Sequence, residues 1–333
     1  MMSGKRRTTV LASVLAVVIA VVIAVLWGAE PGGSGRVVQA PPSPARSPQP
    51  SGISPFTGLP GRAGPVLAVK IDNVGAARPQ TGIGSADIVY VEQVEAGLTR
   101  LLAVFSSHLP PVAGPVRSAR ESDLELLRQF GRPALAYSGA QSRLQPLLSA
   151  APLYPVTTGS APSAYHRGTG RGAPHNLYLR PAPGLASAPS ATHARAIGFR
   201  FGPAPDGGKR VDARTVRFPA ARYTFTWSAS QHRWLVSMDG DRARTTDAGR
   251  LDAATVVIQR VTVHPSRFHD RGGNVSPYSE TVGSGDAVVL RDGRAFDARW
   301  SRPSEAAGTS FTTGDGAALN FAPGPVWVVL AAR

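Results

Sequence analysis

VLAVKIDN (66–73), ADIVYVEQVEAGLTRLLAVF (86–105), GPVRSARESDLELL (114–127) and ALAYSG (134–139) decide the fold and the place of any site. Apolar runs of strand length alternate here with turns that carry charge. Val66–Ile71 is bounded by Pro65 and by Asp72-Asn73, so its β-branched and aliphatic residues read as a strand. Ile88–Val91 and Leu101–Phe105 read as the next two strands, the second a continuous run suited to burial on both faces. Glu92, Glu95, Gly97 and Arg100 fall between them as a polar hairpin or strand end. Leu135–Tyr137 reads as a fourth strand, reached through a helix, and strands interleaved with a helix predict a mixed α/β layer.

The helix carries the most informative local chemistry. Ser118-Ala119-Arg120-Glu121 fits a capping box, with Ser118 as N-cap and Glu121 at N3. The spacing then places Leu124, Leu127 and Phe130 on one face. Free N–H groups at that helix start, with Arg117 and Arg120 beside them, suit a phosphate or carboxylate. The opposing reading pairs Arg117 and Arg120 with Asp87, Glu92 or Glu95 in a buried network, and both hold if a ligand replaces part of it.

Downstream, Ala173-Pro174-His175-Asn176 follows a Gly-rich loop. His175 beside Asn176 suits a proton shuttle or ligand donor, although a lone histidine more often serves as a structural hydrogen-bonder. From Val216 the pattern turns to β: Arg222–Trp227, Trp234–Ser237, a long run Thr255–Val263, Ala287–Arg291 and Val326–Leu330. Asp239-Gly240, Asp292-Gly293 and Asp315-Gly316 mark hairpin turns between them. HPSRFHD (264–270) matches no metal-ligand spacing and reads as a solvated loop.

Upstream, Lys5-Arg6-Arg7 leads into Val10–Trp27, in which only Ser13 is polar. As a helix this run measures about 27 Å, close to the roughly 30 Å of a hydrocarbon core. The basic cluster predicts a cytoplasmic N-terminus. A cleaved signal peptide is the rival reading, with a shorter apolar region and a nearer small-residue cleavage site than this sequence offers. Either way the bulk of the chain is expected outside the cytoplasm. Residues 28–54 are rich in Pro, Gly and Ser and predict a stalk. The expected organisation is therefore a cytoplasmic tail (1–9), a membrane-spanning anchor (10–27), the stalk (28–54), an α/β domain (55–200) and a smaller, mainly β domain (201–333).

The net charge of +15 is carried almost wholly by arginine, with Lys5, Lys70 and Lys209 the only lysines. Five of the basic residues precede the folded part, and the abundance of Ala, Gly and Pro beside Arg points to coding bias in a GC-rich genome. Outside the N-terminus there is no polybasic arm and no aromatic-interleaved basic stripe, so nucleic acid is not an expected partner. The absence of cysteine excludes disulfides, thiolate catalysis, cysteine metal sites and a lipid-modified cysteine.

KIDN (70–73), ARPQTG (77–82), ADIVY (86–90), VEAGLTR (94–100), GPVRSAR (114–120) and APHNLY (173–178) resemble, in order, the YerB-like family of bacterial envelope proteins. A second block, from GSGDAVVLRDGR (283–294) to PGPVWV (323–328), resembles that family's C-terminal domain. The resemblance implies two domains and an extracytoplasmic location, and brings no reaction with it. Two departures stand out: family members are often lipoproteins whereas this chain has no cysteine, and Ala96 stands where the family usually shows glycine. A looser likeness, to LytR-CpsA-Psr-type phosphotransferases, lies in an acidic residue after a strand and an Arg-Ser-x-Arg-like turn before a helix.

The function expected is a membrane-anchored module that binds an anionic envelope polymer, or an envelope protein, without a cofactor. Its ligand set is Arg100, Arg117, Ser118, Arg120, Asn73, Glu92, Glu95 and Asn176. The alternative is a phosphotransferase acting on a lipid-pyrophosphate-linked glycopolymer, with Mg²⁺ held by Asp72 and Asp87 and His175 handling protons. No P-loop, nucleophile elbow or zinc-protease helix is present to favour a familiar hydrolase.

Overall fold

The structure, a computed structural model, describes residues 52–270 and 272–333. The expected tail, anchor and most of the stalk lie outside these residues. No helix among the described residues is long and apolar enough to cross a membrane.

Strands β1 (Leu67–Ile71), β2 (Ile88–Gln93) and β3 (Thr99–Phe105) form where the apolar runs predict them. Then come α1 (Glu121–Leu127), β4 (Ala134–Ala136), α2 (Gln145–Ala150), β5 (Tyr154–Val156), the short pair β6 (Tyr165–Arg167) and β7 (Leu177–Leu179), and α3 (Pro181–Ala186). After β8 (Lys209–Arg210) follow β9 (Ala213–Phe218), β10 (Ala221–Ser228), β11 (Arg233–Met238), β12 (Asp241–Arg242), β13 (Arg244–Thr245), β14 (Gly249–Arg250) and β15 (Asp252–Ala253). The chain ends with β16 (Thr255–Val261), β17 (Val263–His269), β18 (Val275–Ser279), β19 (Gly283–Arg291), β20 (Arg294–Arg302), β21 (Ser310–Thr312) and β22 (Val326–Ala332).

One large sheet runs β21-β20-β19-β16-β22-β2-β3-β1-β4-β5 and draws strands from both halves of the chain. Its seam is β22, parallel to β16 on one side and to β2 on the other, with Val326 opposite both Thr255 and Ile88. Two cores follow from the two-residue alternation of the strands. Leu67, Val69, Val89, Val91 and Leu101 face the smaller sheet β12-β11-β10-β9, which contributes Val216, Tyr223, Phe225, Trp234 and Val236. Ala68, Tyr90, Leu102 and Val104 face the other way, under Leu126, Leu127, Phe130 and Leu148. With both faces covered, β1 and β3 are buried along their whole length.

Three local expectations need correction. α1 starts two residues later than predicted: Arg120, not Ser118, is the N-cap, and Asp123, not Glu121, accepts its backbone N–H at 2.6 Å. Leu127 and Phe130 are buried as expected, with Leu126 beside them, and Leu124 packs partly buried against the same core. The run Thr255–Val263 is not one strand, because Thr262 separates β16 from β17. HPSRFHD is not a solvated loop either. All of it but Asp270 lies in β17, which pairs with β18 as a ribbon, and Ser266 and Phe268 are buried.

Candidate functional site

The ribbon β17–β18 lies across the N-terminal turn of α1, and an open cleft of about 940 Å³ remains between them and the end of the large sheet. Its floor is Asp72, Thr99 and Arg100; its walls are the turn at Glu95–Leu98, the stretch Arg117–Glu121, the loop at Gln141 and Ser142, and Phe268, Asp270 and Ser276 of the ribbon. Sequence order brings these groups together for a simple reason. β1 and β3 are antiparallel, with Ile71 opposite Leu101, so Asp72 just beyond one strand end meets Arg100 just inside the other. The stretch after Pro115 is then sewn alongside by Arg117 N–H to the Lys70 carbonyl (2.8 Å) and Ala119 N–H to the Gly139 carbonyl (3.0 Å). That stitching aims Arg117 and Arg120 into the cleft.

Each acid of the floor is already matched. Asp72, 2% exposed, places Oδ2 at 2.9 Å from Arg117 Nε and 2.8 Å from His175 Nδ1. The Arg117 contact is an ion pair whose N–H is not aligned on the carboxylate. Since a carboxylate only accepts, His175 donates from Nδ1. Glu95 takes Arg120 at two points, Nε to Oε1 at 2.5 Å and Nη2 to Oε2 at 2.7 Å, and also accepts from the Ser276 hydroxyl. Burial works to raise the Glu95 carboxyl, but Arg120 and Ser276 outweigh it and hold it below its usual range.

Arg100 is different. It is 8% exposed, has no carboxylate within ion-pair distance among the described residues, and donates Nη1 to the Ser118 carbonyl at 2.9 Å. Burial, with the Arg120 charge next, lowers its pKa to about 10, which still leaves it protonated at neutral pH.

The remaining predicted residues divide cleanly. Ser118 lines the cleft and His175 reaches it through Asp72. Glu92 does not: it is 1% exposed, and its Oε2 accepts from Lys70 Nζ at 2.8 Å beside Asp123, which takes the same ammonium at 2.7 Å. Two carboxylates share one cation there, and Glu92 Oε1 has no partner among the described residues. Burial first, and Asp123 second, push the Glu92 carboxyl up to about 7. Asn73 is also buried, held by Thr99 and by the Tyr223 hydroxyl of the smaller sheet. Asn176 closes its own loop through Arg167, Gly168 and Arg171.

Asp87 is the clearest correction. It precedes β2, where Ile88 lies opposite Val104, and its Oδ2 accepts the backbone N–H groups of Ser106 (2.7 Å) and Ser107 (2.9 Å). Burial raises its carboxyl, against the pull of those two serines. Asp72 is level with Arg100 and Asp87 with Phe105, so the two acids stand about 17 Å apart along the strands. They cannot share one Mg²⁺. Among the described residues no three His, Asp or Glu side chains gather as metal ligands. The helix-start reading loses support: α1 has only seven residues, and the Arg120 and Asp123 N–H groups are already taken by the Asp123 carboxylate and the Arg120 carbonyl.

Sequence reasoning missed the far wall. Phe268, Asp270 and Ser276 lie about 170 residues beyond Arg100 and carry no motif; the only hint was the alternation that buries Ser266 and Phe268.

The N-terminal domain of the family "protein of unknown function (DUF3048)" matches residues 56–195, and its C-terminal domain matches 214–328. A relative described as "Putative lipoprotein YerB" from Bacillus subtilis (strain 168) is 26% identical over 273 residues, 79% of this chain and 80% of its own length. The crystal structure of YerB protein from Bacillus subtilis superposes with a TM-score of 0.70 at 22% identity, over 83% of this chain and 95% of that one. That likeness is one of fold.

Proposed function

The chain belongs to the two-domain DUF3048 family of unknown function, and from that premise we propose that it binds an anionic ligand of the cell envelope in the cleft over Arg100. The envelope is suggested by the relative's description as a lipoprotein and by the N-terminal run 10–27, which would place the cleft outside the cytoplasmic membrane. The observation that carries the proposal is the charge count at the floor. Three guanidiniums, Arg100, Arg117 and Arg120, meet two buried carboxylates, Asp72 and Glu95, and Arg100 is left without an acid. A carboxylate or phosphate group supplies that missing charge and gains paired, charge-assisted hydrogen bonds.

The experiment is Arg100→Gln, followed by calorimetric titration with an anionic wall polymer. Wild type binds, and the variant loses on the order of tenfold in affinity, the worth of one charged hydrogen bond. Equal affinity would remove Arg100 from the site. Arg117 and Arg120 are poorer targets, because deleting either strands a buried carboxylate at a cost of about 3–5 kcal/mol.

One contact favours a second, catalytic reading. Asp72 orients His175 through Nδ1 and leaves Nε2 to take or give a proton, a general-base arrangement. Under that reading His175→Gln abolishes turnover of a phosphoester or ester substrate while binding persists. A wild type inert toward both substrate classes rejects it.

A further inference from the structure

The smaller sheet packs Val216, Phe218, Tyr223, Phe225, Val236 and Met238 onto the core and turns its other face to solvent. On that outer face Arg217 lies directly opposite Arg222. The adjacent row runs Thr215, Thr224, Ser237 and Arg242 across four strands. Arg244, two residues past Arg242, lies directly opposite Arg250 in the ribbon β13–β14, a separate two-stranded sheet that continues the chain from β12. With strands about 4.8 Å apart and about 3.4 Å per residue, Arg217, Arg222 and Arg242 mark a diagonal of roughly 16 Å, with Arg244 and Arg250 following in chain order beyond its far end.

Like charges set directly opposite in an antiparallel pair destabilise it, and here two such pairs occur, one in the smaller sheet and one in the adjoining ribbon. Of the acids nearby, Asp239 takes Arg78 at 2.7 Å and Asp252 takes Arg233 at 3.5 Å, while Asp241, exposed in β12, pairs with none of these arginines. Among the described residues Arg217, Arg222, Arg242, Arg244 and Arg250 have no carboxylate in ion-pair range. Arg250 Nε is buried without a hydrogen-bond acceptor. Burial, then the charges of Arg242 and Arg244, lower its affinity for its proton.

We propose that this face is a second site, separate from the cleft, that binds a linear polyanion of phosphate or phosphodiester units laid along the arginine diagonal. A chain fits better than an anionic bilayer because the arginines follow a line across the strands and do not cover a broad patch. The hydroxyls of Thr215, Thr224 and Ser237 stand between the guanidiniums as further donors to phosphate oxygens. No aromatic ring stands in these rows on which a base could stack, so the backbone charge is what the face recognises.

The test uses the full chain in nonionic detergent, with inorganic polyphosphate as the probe, pyrophosphate as the short anion, and phosphatidylglycerol vesicles as the planar one. The fourfold variant Arg217→Gln, Arg222→Gln, Arg244→Gln, Arg250→Gln loses at least about tenfold in polyphosphate affinity, with a shallower salt dependence. Its thermal midpoint rises, because two repulsive pairs are gone, and the fourfold change costs the same factor in polyphosphate affinity whether or not Arg100→Gln is also present, which separates this face from the cleft. Unchanged affinity of the fourfold variant overturns the proposal. So does a lowered midpoint, which would make these arginines structural. Pyrophosphate bound as tightly as polyphosphate, or an arginine-dependent preference for vesicles over the polymer, does the same.

Discussion

Ala96 holds φ +55° and ψ 23° in the turn between β2 and β3, a left-handed conformation that costs an L-residue with a Cβ about 1–2 kcal/mol. Glycine adopts it without that cost, at the expense of a more flexible unfolded chain. Ala96→Gly is therefore expected to stabilise the protein by about 0.5–1 kcal/mol in chemical denaturation; a loss of stability would show that the turn is not strained. Glu92 makes a prediction in pH. Its carboxyl ionises near 4.5 when unfolded and near 7 when buried beside Asp123. Below pH 4.5 both states hold the proton. As pH rises through 7 the folded state must ionise against burial, so stability falls across that window and then levels. Glu92→Gln keeps an acceptor for Lys70 and removes the titration. At pH 8 it should be more stable than wild type by on the order of 1–2 kcal/mol, and at pH 4 about equal. A difference that does not change with pH contradicts the raised ionisation of Glu92.

At the scale of elements, the ribbon β17–β18 is held to α1 chiefly by one carboxylate. Glu125 Oε1 accepts from Thr281 N–H (2.6 Å), the Thr281 hydroxyl (2.8 Å) and Val282 N–H (3.0 Å), and Oε2 accepts from the Tyr278 hydroxyl (2.8 Å). Ser122 adds a bond from Ser279 N–H at 3.0 Å. Glu125→Ala leaves those donors unmet and should cost about 2–4 kcal/mol. The accompanying change is faster hydrogen exchange at Ser279, Thr281 and Val282, and weaker ligand binding as the cleft wall loosens. Exchange unaltered at these amides would mean that Ser122 and the core contact of Phe268 suffice. α1 itself was legible as a helix from its leucines, but its first residue was not. Arg120 is an improbable N-cap, and the box closes on Asp123, whose other oxygen is fixed by Lys70 from the sheet below. Local rules favoured Ser118; a buried ammonium decided otherwise.

At the scale of the molecule, β22 binds the halves into one sheet, and Trp327 within it is 1% exposed and packs edge-on to Phe225 of the smaller sheet. A chain cut after residue 200 exposes the apolar edge Ile88–Val91, which invites intermolecular pairing. That fragment should aggregate, and residues 52–333 should unfold in a single calorimetric transition. A soluble, folded fragment, or two transitions, would show that the halves are independent. The sequence by itself determined most strands, the hairpin turns, the two family domains, and the arginines and acids of the cleft floor. These depend on neighbours within about ten residues or on short motifs, where apolar alternation and turn chemistry act directly. Only the tertiary structure decided which charges share a space. It sent Glu92 inward to Lys70, put Asp87 at the opposite end of the strands, left Arg100 without an acid, and brought β17–β18 across α1 as the second wall. Ion pairing and burial are settled by distance in space, and pairing across more than a hundred residues leaves no periodic trace in the chain.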